Sequence, residues 1–391
     1  MSVTRKLTYA AKVLPGATWR SLGKIPSGHV HLIMAVADHF EPAIDPAGGL
    51  KRMPRPEQER RLLWWTCEFP QAVDRWRDPD GRPFAHTYFY PAEQYDEGLL
   101  QILAEHCHAG WGEIEIHLHH GEYGPDTAEG TRRVLSEFRD HLALRHGCLA
   151  AEDGQSQPRY AFVHGNFALA NSNLGKFCGV DSEMRILADT GCYADFTLPA
   201  GLFHPAQTSL LNSIYEIGLP LEQRAAHRVG NHVRVGRKPQ IFPIMVQGPL
   251  LADWKQGVRI PRALLDTSAI TGRNPMTLQR LERWKRARIT VQGRPDWIFI
   301  KVHCHSMDPS QKDSVVGNAF KVFLEGLVSG AAARAETVHF VSAREMANII
   351  LAACDGREGN PSQFRDYRFK RIRSLPAQLQ RPATTHASVQ G

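Results

Sequence analysis

The chain has 391 residues, 42% of them hydrophobic, which is ample for a buried core and excludes global disorder. Lys and Arg exceed Asp and Glu by 47 to 40, a net charge of +7 gathered largely at the two ends, and no nucleic-acid recognition motif accompanies it. Seven cysteines (67, 107, 148, 178, 192, 304 and 354) are scattered without a CxxC pair, which argues against a disulfide framework and a zinc ribbon.

The basic N-terminus has no continuous apolar segment of the secretory kind, and no run is long enough to span a bilayer. These features predict a cytoplasmic protein. The length allows two average domains or one large barrel with insertions.

Residues 1–28 read as a basic extension, solvated or lying against an anionic surface through an amphipathic turn at 8–14. HLIMAVA (31–37) is a near-continuous apolar run, as expected of a strand buried on both faces, and it breaks into Asp38, His39, Phe40, Glu41 and Pro42. A helix should begin near Pro56. FAHTYFY (84–90) is a second strand, and Pro91 opens the helix that carries Leu99, Leu100 and Leu103. EIEIHLHHGEY (113–123) follows as the third strand.

A helix at 127–146 leads to the fourth strand, RYAFVHG (159–165), which runs into Asn166. A helix at 181–190, a fifth strand at 192–200 and a sixth at 241–247 follow, and residues 201–240 show no clear pattern. A helix with Leu278, Leu281 and Trp284 precedes WIFIKVHCH (297–305), the seventh strand. A helix with Phe320 and Phe323, a last strand at 337–342 and a helix at 343–354 complete a body over 29–357. Residues 358–391 read as a basic, flexible tail. Strands alternating with helices predict a parallel sheet. The apolar strands end in polar clusters, which favours a distorted (β/α) barrel of seven or eight parallel strands in a single catalytic domain.

Within the third strand, alternation puts His117 and His119 on one face. An isolated HxH pair is more often a pair of buried histidines bonded to Glu115 or to carbonyls. Partners at three other strand ends change the balance. Asp38 and His39, then His164 and Asn166, then His303 and His305 would gather with His117 and His119 at one end of the sheet. A carboxylate with two or three imidazoles suits a divalent transition metal, zinc foremost. The expected ligands are Asp38, His39, His117 and His119. Asp38 and either His303 or His305 would handle protons, and His164, Asn166 and Glu122 would contact substrate.

VADHFEP, EIEIHLHH and IFIKVHCH stand in an order that resembles the polysaccharide deacetylases of the NodB-homology group. The resemblance spans roughly residues 30–345. It implies a distorted, often seven-stranded barrel, an acidic pair after the first strand, a histidine pair on the third as metal ligands, and a late histidine acid. Asp-His stands here where the family has Asp-Asp, so Asp38 aligns either with the base or with the metal ligand. His117 pairs with either His119 or His120, and no Arg-x-Pro follows the fourth strand.

The implied function is metal-dependent removal of an N- or O-acyl group from a sugar or glycan precursor. A phosphoesterase or amidohydrolase, and an inert barrel that binds glycan or a glycosyltransferase partner, are the alternatives. The expected partner is the sugar substrate, with peripheral contact to an anionic membrane or glycosylation machinery through the basic ends.

Overall fold

The computed structural model describes residues 3–25, 27–48, 51–253 and 265–372, with side chains from residue 11 onward. Helix α1 (Val3–Ser21) precedes β1 (Val30–His39), α2 (Arg55–Val73), β2 (Thr87–Pro91), α3 (Glu97–His108) and β3 (Glu113–Leu118). Next come α4 (Ala128–Leu144), β4 (Ala150–Glu152), β5 (Tyr160–His164), α5 (Glu183–Thr190) and β6 (Cys192–Asp195). The less regular middle holds β7 (Ile214–Ile217), β8 (Gly230–His232), β9 (Ile244–Val246), β10 (Leu251–Ala252) and β11 (Leu265–Asp266). The chain then forms α6 (Leu278–Ala287), β12 (Trp297–Cys304), α7 (Asn318–Ser329), β13 (Glu336–Phe340), α8 (Ala343–Cys354) and β14 (Phe369–Arg371). Local chemistry sets many helix starts: Asp96 caps α3 by accepting from Leu99 N at 2.9 Å, and Ser342 and Glu345 form a reciprocal capping box on α8.

Ten strands form the main sheet, ordered β12-β1-β2-β3-β5-β6-β9-β7-β8, with β13 also on β1. Every ladder is parallel except the two made by β7. This exceeds the seven or eight strands expected, because β7 and β8 arise in the stretch 201–240 where the sequence pattern gave no assignment. Among the described strands no ladder joins β8 back to β12. The segment at 268–270 instead bridges β12 at Ala269↔His303.

Side-chain alternation divides the sheet into two faces. Leu32, Met34, Val36, Ile116, Phe162, Ile300 and Val302 pack with residues of α2, α3, α4, α5 and α7. Ile33, Ala35, Ala37, Val163 and Phe299 pack on the other face with α8. All twelve residues of α8 are buried, so this helix is covered on every side, and its Ile349 and Ile350 each contribute about 1.5–3 kcal/mol through burial.

Both ends of the chain depart from the sequence reading. Val13 and Ala17 of α1 are buried against Leu202, Leu211 and Leu250, so the extension docks through this face instead of remaining fully solvated. At the other end β14 pairs antiparallel with β4, and Phe369 is fully buried. The folded body therefore runs to 372 rather than 357, held by one aromatic anchor that composition alone conceals. The rest of the expected tail, including Arg373 and Arg381, lies outside the described residues.

Two buried histidines tie stability to pH. His106 bonds the Tyr88 hydroxyl at 2.9 Å, and His227 donates to the Ala206 carbonyl at 2.8 Å. Burial lowers both to about 4. The unfolded chain takes up these protons below about 6.5 while the folded chain does not, so stability present above 6.5 is lost as pH falls toward 4. Each histidine contributes about 3 kcal/mol to this loss. Glu115 and Asp195, raised by burial to about 8 and 7, add stability over the same range, so the imidazole NMR titrations of His106 and His227 are the direct check, and a midpoint near 6.5 for either in the folded protein would contradict the assignment.

Candidate metal centre and the cavity beside it

Strand β1 delivers His39 at its last position, and Glu41 lies two residues further on. Strand β3 delivers His117, with His119 two residues beyond. Ligand atoms of His39, Glu41 and His117 all lie within 4.8 Å of one another, and all three residues are buried. The His117 and His119 rings are 4.4 Å apart between centroids, and His39 is 4.9 Å from His117.

The hydrogen bonds determine what these rings can accept. His117 Nδ1 donates to the Val163 carbonyl at 2.7 Å, which leaves its Nε2 lone pair facing Glu41 Oε1 at 3.1 Å. His119 Nδ1 donates to Glu93 Oε1 at 2.9 Å, and its Nε2 lies 3.4 Å from the same Glu41 oxygen. Lone pairs from two imidazoles and a carboxylate thus converge on one point, an arrangement that a cation satisfies. A metal-binding histidine usually has its other ring nitrogen held by a carbonyl or carboxylate, as both are here.

Burial would lower His119, but its bond to Glu93 and the charges of Glu41 and Glu93 raise it above its ordinary value, so a cation at this point competes with a proton on His119 Nε2. Burial would raise Glu41, but the imidazoles of His117, His119 and His305 around it draw it down to about 2, so it is ionised. Burial holds His39 well below its ordinary value, helped by His305, His117 and His303, so it is neutral. Two imidazoles and a carboxylate make a donor set that could hold a metal ion.

A cavity of about 330 Å³ opens beside this cluster, lined by Phe167, Pro199, Thr267, Ile270, His303 and His305. The His305 and His39 rings are 4.6 Å apart, and His303 and His39 are 6.0 Å apart. Burial, with Lys301 next, pushes His303 well below its usual value, and its Nδ1 has no partner. A larger cavity of about 700 Å³ is lined by Glu152, Arg159, Lys238, Asp355 and Arg368. Its charges are already paired, Arg368 with Glu152 at 2.6 Å and Lys238 with Asp355 at 3.8 Å, so chemistry favours the smaller one.

Of the residues expected at the site, His39, His117, His119, His303 and His305 are brought together. Asp38 is not. Its side chain leaves β1 on the helix-covered face, accepting from His86 Nε2 at 2.8 Å and from Ser306 N at 2.9 Å. The Ser306 hydroxyl also bonds it, so Asp38 anchors the segment that carries His305. His164 lies on that same helix-covered face, 3.0 Å from His120 Nε2. Asn166 is exposed with φ of 52°, and Glu122 is half-buried, its charge acting on His119. Glu41 and Glu93 were missed as site residues. Glu41 had a signal, since it stands two residues after His39; Glu93 had none, because its link to His119 is purely tertiary.

No protein-family model matches the chain, and no curated protein sequence matches it either.

Proposed function

We propose that this chain is a metal-dependent hydrolase resembling the polysaccharide deacetylases, a divergent member that removes an N- or O-acyl group from a sugar or glycan precursor. The observation that carries the reading is the convergence of His39, Glu41 and His117 at the C-terminal ends of β1 and β3, both parallel to the β2 between them, where enzymes of (β/α) architecture build their sites. The open edges of the ten-stranded sheet would come together in a distorted barrel.

Zinc held there would supply Lewis acidity to the acyl carbonyl oxygen. Glu41 contributes the negative charge that the resemblance assigns to Asp38. His305, half-buried on the cavity wall, handles the proton of attack or of departure, and Asp38 fixes its position through Ser306. Phe167 offers an apolar face to the sugar ring. Seven free cysteines suit a reducing cytoplasm. No helix in the described residues is long and apolar enough to cross a membrane. The exposed Trp19 and Leu22 on and beside α1 suit contact with an anionic membrane or with glycosylation machinery.

Acetate release from an acetylated sugar oligomer tests the proposal. Activity should vanish with chelator and return with zinc. His305→Gln should lower kcat by about a hundred- to ten-thousand-fold, as general acid–base roles do, with zinc content unchanged. A purified protein that binds glycan but takes up no zinc would sink the enzyme and leave the inert reading.

A further inference from the structure

A second cluster lies on the opposite, helix-covered side of β3 and β5. His120, His164, Cys178 and Glu183 are all buried, and their ligand atoms all lie within 4.8 Å of one another. His120 Nε2 is 3.0 Å from His164 Nε2 and 3.0 Å from Glu183 Oε1, and His164 Nε2 is 3.2 Å from that oxygen.

Each imidazole has its other nitrogen engaged by an acceptor. His120 Nδ1 meets Asp126 Oδ2 at 2.9 Å, and His164 Nδ1 meets the Gly165 carbonyl at 2.5 Å. Thr131 spends its hydroxyl proton on Asp126 at 3.0 Å, so toward His120 Nδ1 at 3.1 Å it too can only accept. Both Nδ1 atoms therefore carry protons, and in neutral rings both Nε2 lone pairs point at each other and at a carboxylate oxygen. The thiol has a fixed place as well, since Val180 N donates to Cys178 Sγ at 3.5 Å. The second Glu183 oxygen accepts from Ala170 N at 2.6 Å, so this carboxylate is oriented in advance.

We propose that His120, His164, Cys178 and Glu183 form a closed four-ligand site for a zinc-type ion, separate from the centre at His39, Glu41 and His117, with a structural role. A tetrahedron with bonds of about 2.0–2.3 Å has edges of roughly 3.3–3.8 Å, close to the nitrogen and oxygen separations here. Two imidazoles, a thiolate and a carboxylate make a borderline-soft set that suits zinc better than magnesium or calcium. Four buried protein ligands fill a tetrahedron and leave no open position, which is the pattern of a structural ion.

The surroundings show what the ion would hold. The loop at 165–180 has no regular element beyond short turns, and Asn166, Phe167, Ala170, Asn171, Leu174 and Phe177 all have φ between 49° and 64°, a region costly for side-chain-bearing residues. It is pinned against the segment after β3. Cys178 O accepts from Asp126 N at 2.7 Å, and Gly121, with φ of +66°, approaches so closely that a Cβ there would fall 2.3 Å from that oxygen. This loop carries Phe167 to the cavity wall, so the ion would brace the catalytic cavity from behind.

The experiment is metal analysis, zinc-edge X-ray absorption and cobalt substitution of the full-length protein. The wild type should bind two ions per chain, one with a sulfur neighbour at about 2.3 Å, and the cobalt form should show thiolate-to-cobalt absorption in the near ultraviolet. Glu41→Gln should lose one ion and keep the sulfur signal, whereas Cys178→Ser should lose the sulfur signal. A single zinc with sulfur in the wild type would retain this site and remove the proposed catalytic ion. Bound zinc without sulfur, or a thiolate band that survives Cys178→Ser, would overturn the proposal. If Cys178→Ser fails to fold, the wild-type absorption spectrum decides alone.

Discussion

Glu41→Gln is expected to abolish binding of the proposed ion beside His39 and His117 and to lower kcat/KM of the proposed activity by about a thousand-fold, while Asp38→Asn leaves that ion bound. The substitution preserves shape and removes only charge. It takes the anionic oxygen away from two imidazole Nε2 atoms that approach it at 3.1 and 3.4 Å. A bound metal contributes several kcal/mol of charge stabilisation to a developing oxyanion, and about 4 kcal/mol corresponds to the thousand-fold loss. Asp38→Asn alters a residue whose oxygens already serve His86 and Ser306, so its effect should fall on the position of His305, as a reduced kcat with metal content intact. Metal analysis of both variants beside acetate-release kinetics makes the comparison. Loss of the ion in Asp38→Asn with retention in Glu41→Gln would reverse the assignment and make Asp38 the metal ligand, one of the two alignments that the family resemblance allows.

Arg344→Met is expected to destabilise the fold by about 3–5 kcal/mol, the cost of leaving a buried partner charge uncompensated. Arg344, in the first turn of α8, binds Glu113 through Nε at 2.9 Å and Nη2 at 2.7 Å. Its Nη1 reaches Asp366 at 2.6 Å and the Phe369 carbonyl at 2.8 Å. Burial alone would raise Glu113, and Arg344 holds it below the usual carboxylate range. This guanidinium therefore joins the start of the histidine-bearing strand β3 to the C-terminal β14. Urea unfolding measures the loss, and hydrogen exchange should show faster opening around 365–371. A change under about 1 kcal/mol would place the pair among ordinary surface ion pairs.

Much of the element order was legible because β1, β3, β5 and β12 announce themselves by apolar runs bounded by turns, and α4, α6 and α7 by helical spacing. The strands β7 and β8 were not. They have three or four residues each, too few for a period to emerge, and their pairing depends on β9. The docking of β14 was hidden for a similar reason, since Phe369 is one buried aromatic in a basic stretch. Glu93 and Glu183 looked like ordinary acidic residues because the histidines that bind them, His119 and His120, are distant in sequence.

The site shows the division most clearly. By itself the sequence determined that His117 and His119 share a face, that His303 and His305 do, and that polar clusters follow the strands. Period-two alternation, continued one residue past the ends of β3 and β12, settles this. It also required Asp38 and His39 to diverge, without saying which of them meets the histidines of another strand. Only the tertiary structure decided that, through the parallel register. Ala37 aligns with His303, and His117 with Val163. His39 therefore meets His305 and His117, while Asp38 and His164 turn to the helix-covered face. Alternation carries no information from one strand to the next, and a shift of one residue in register reverses every such pairing.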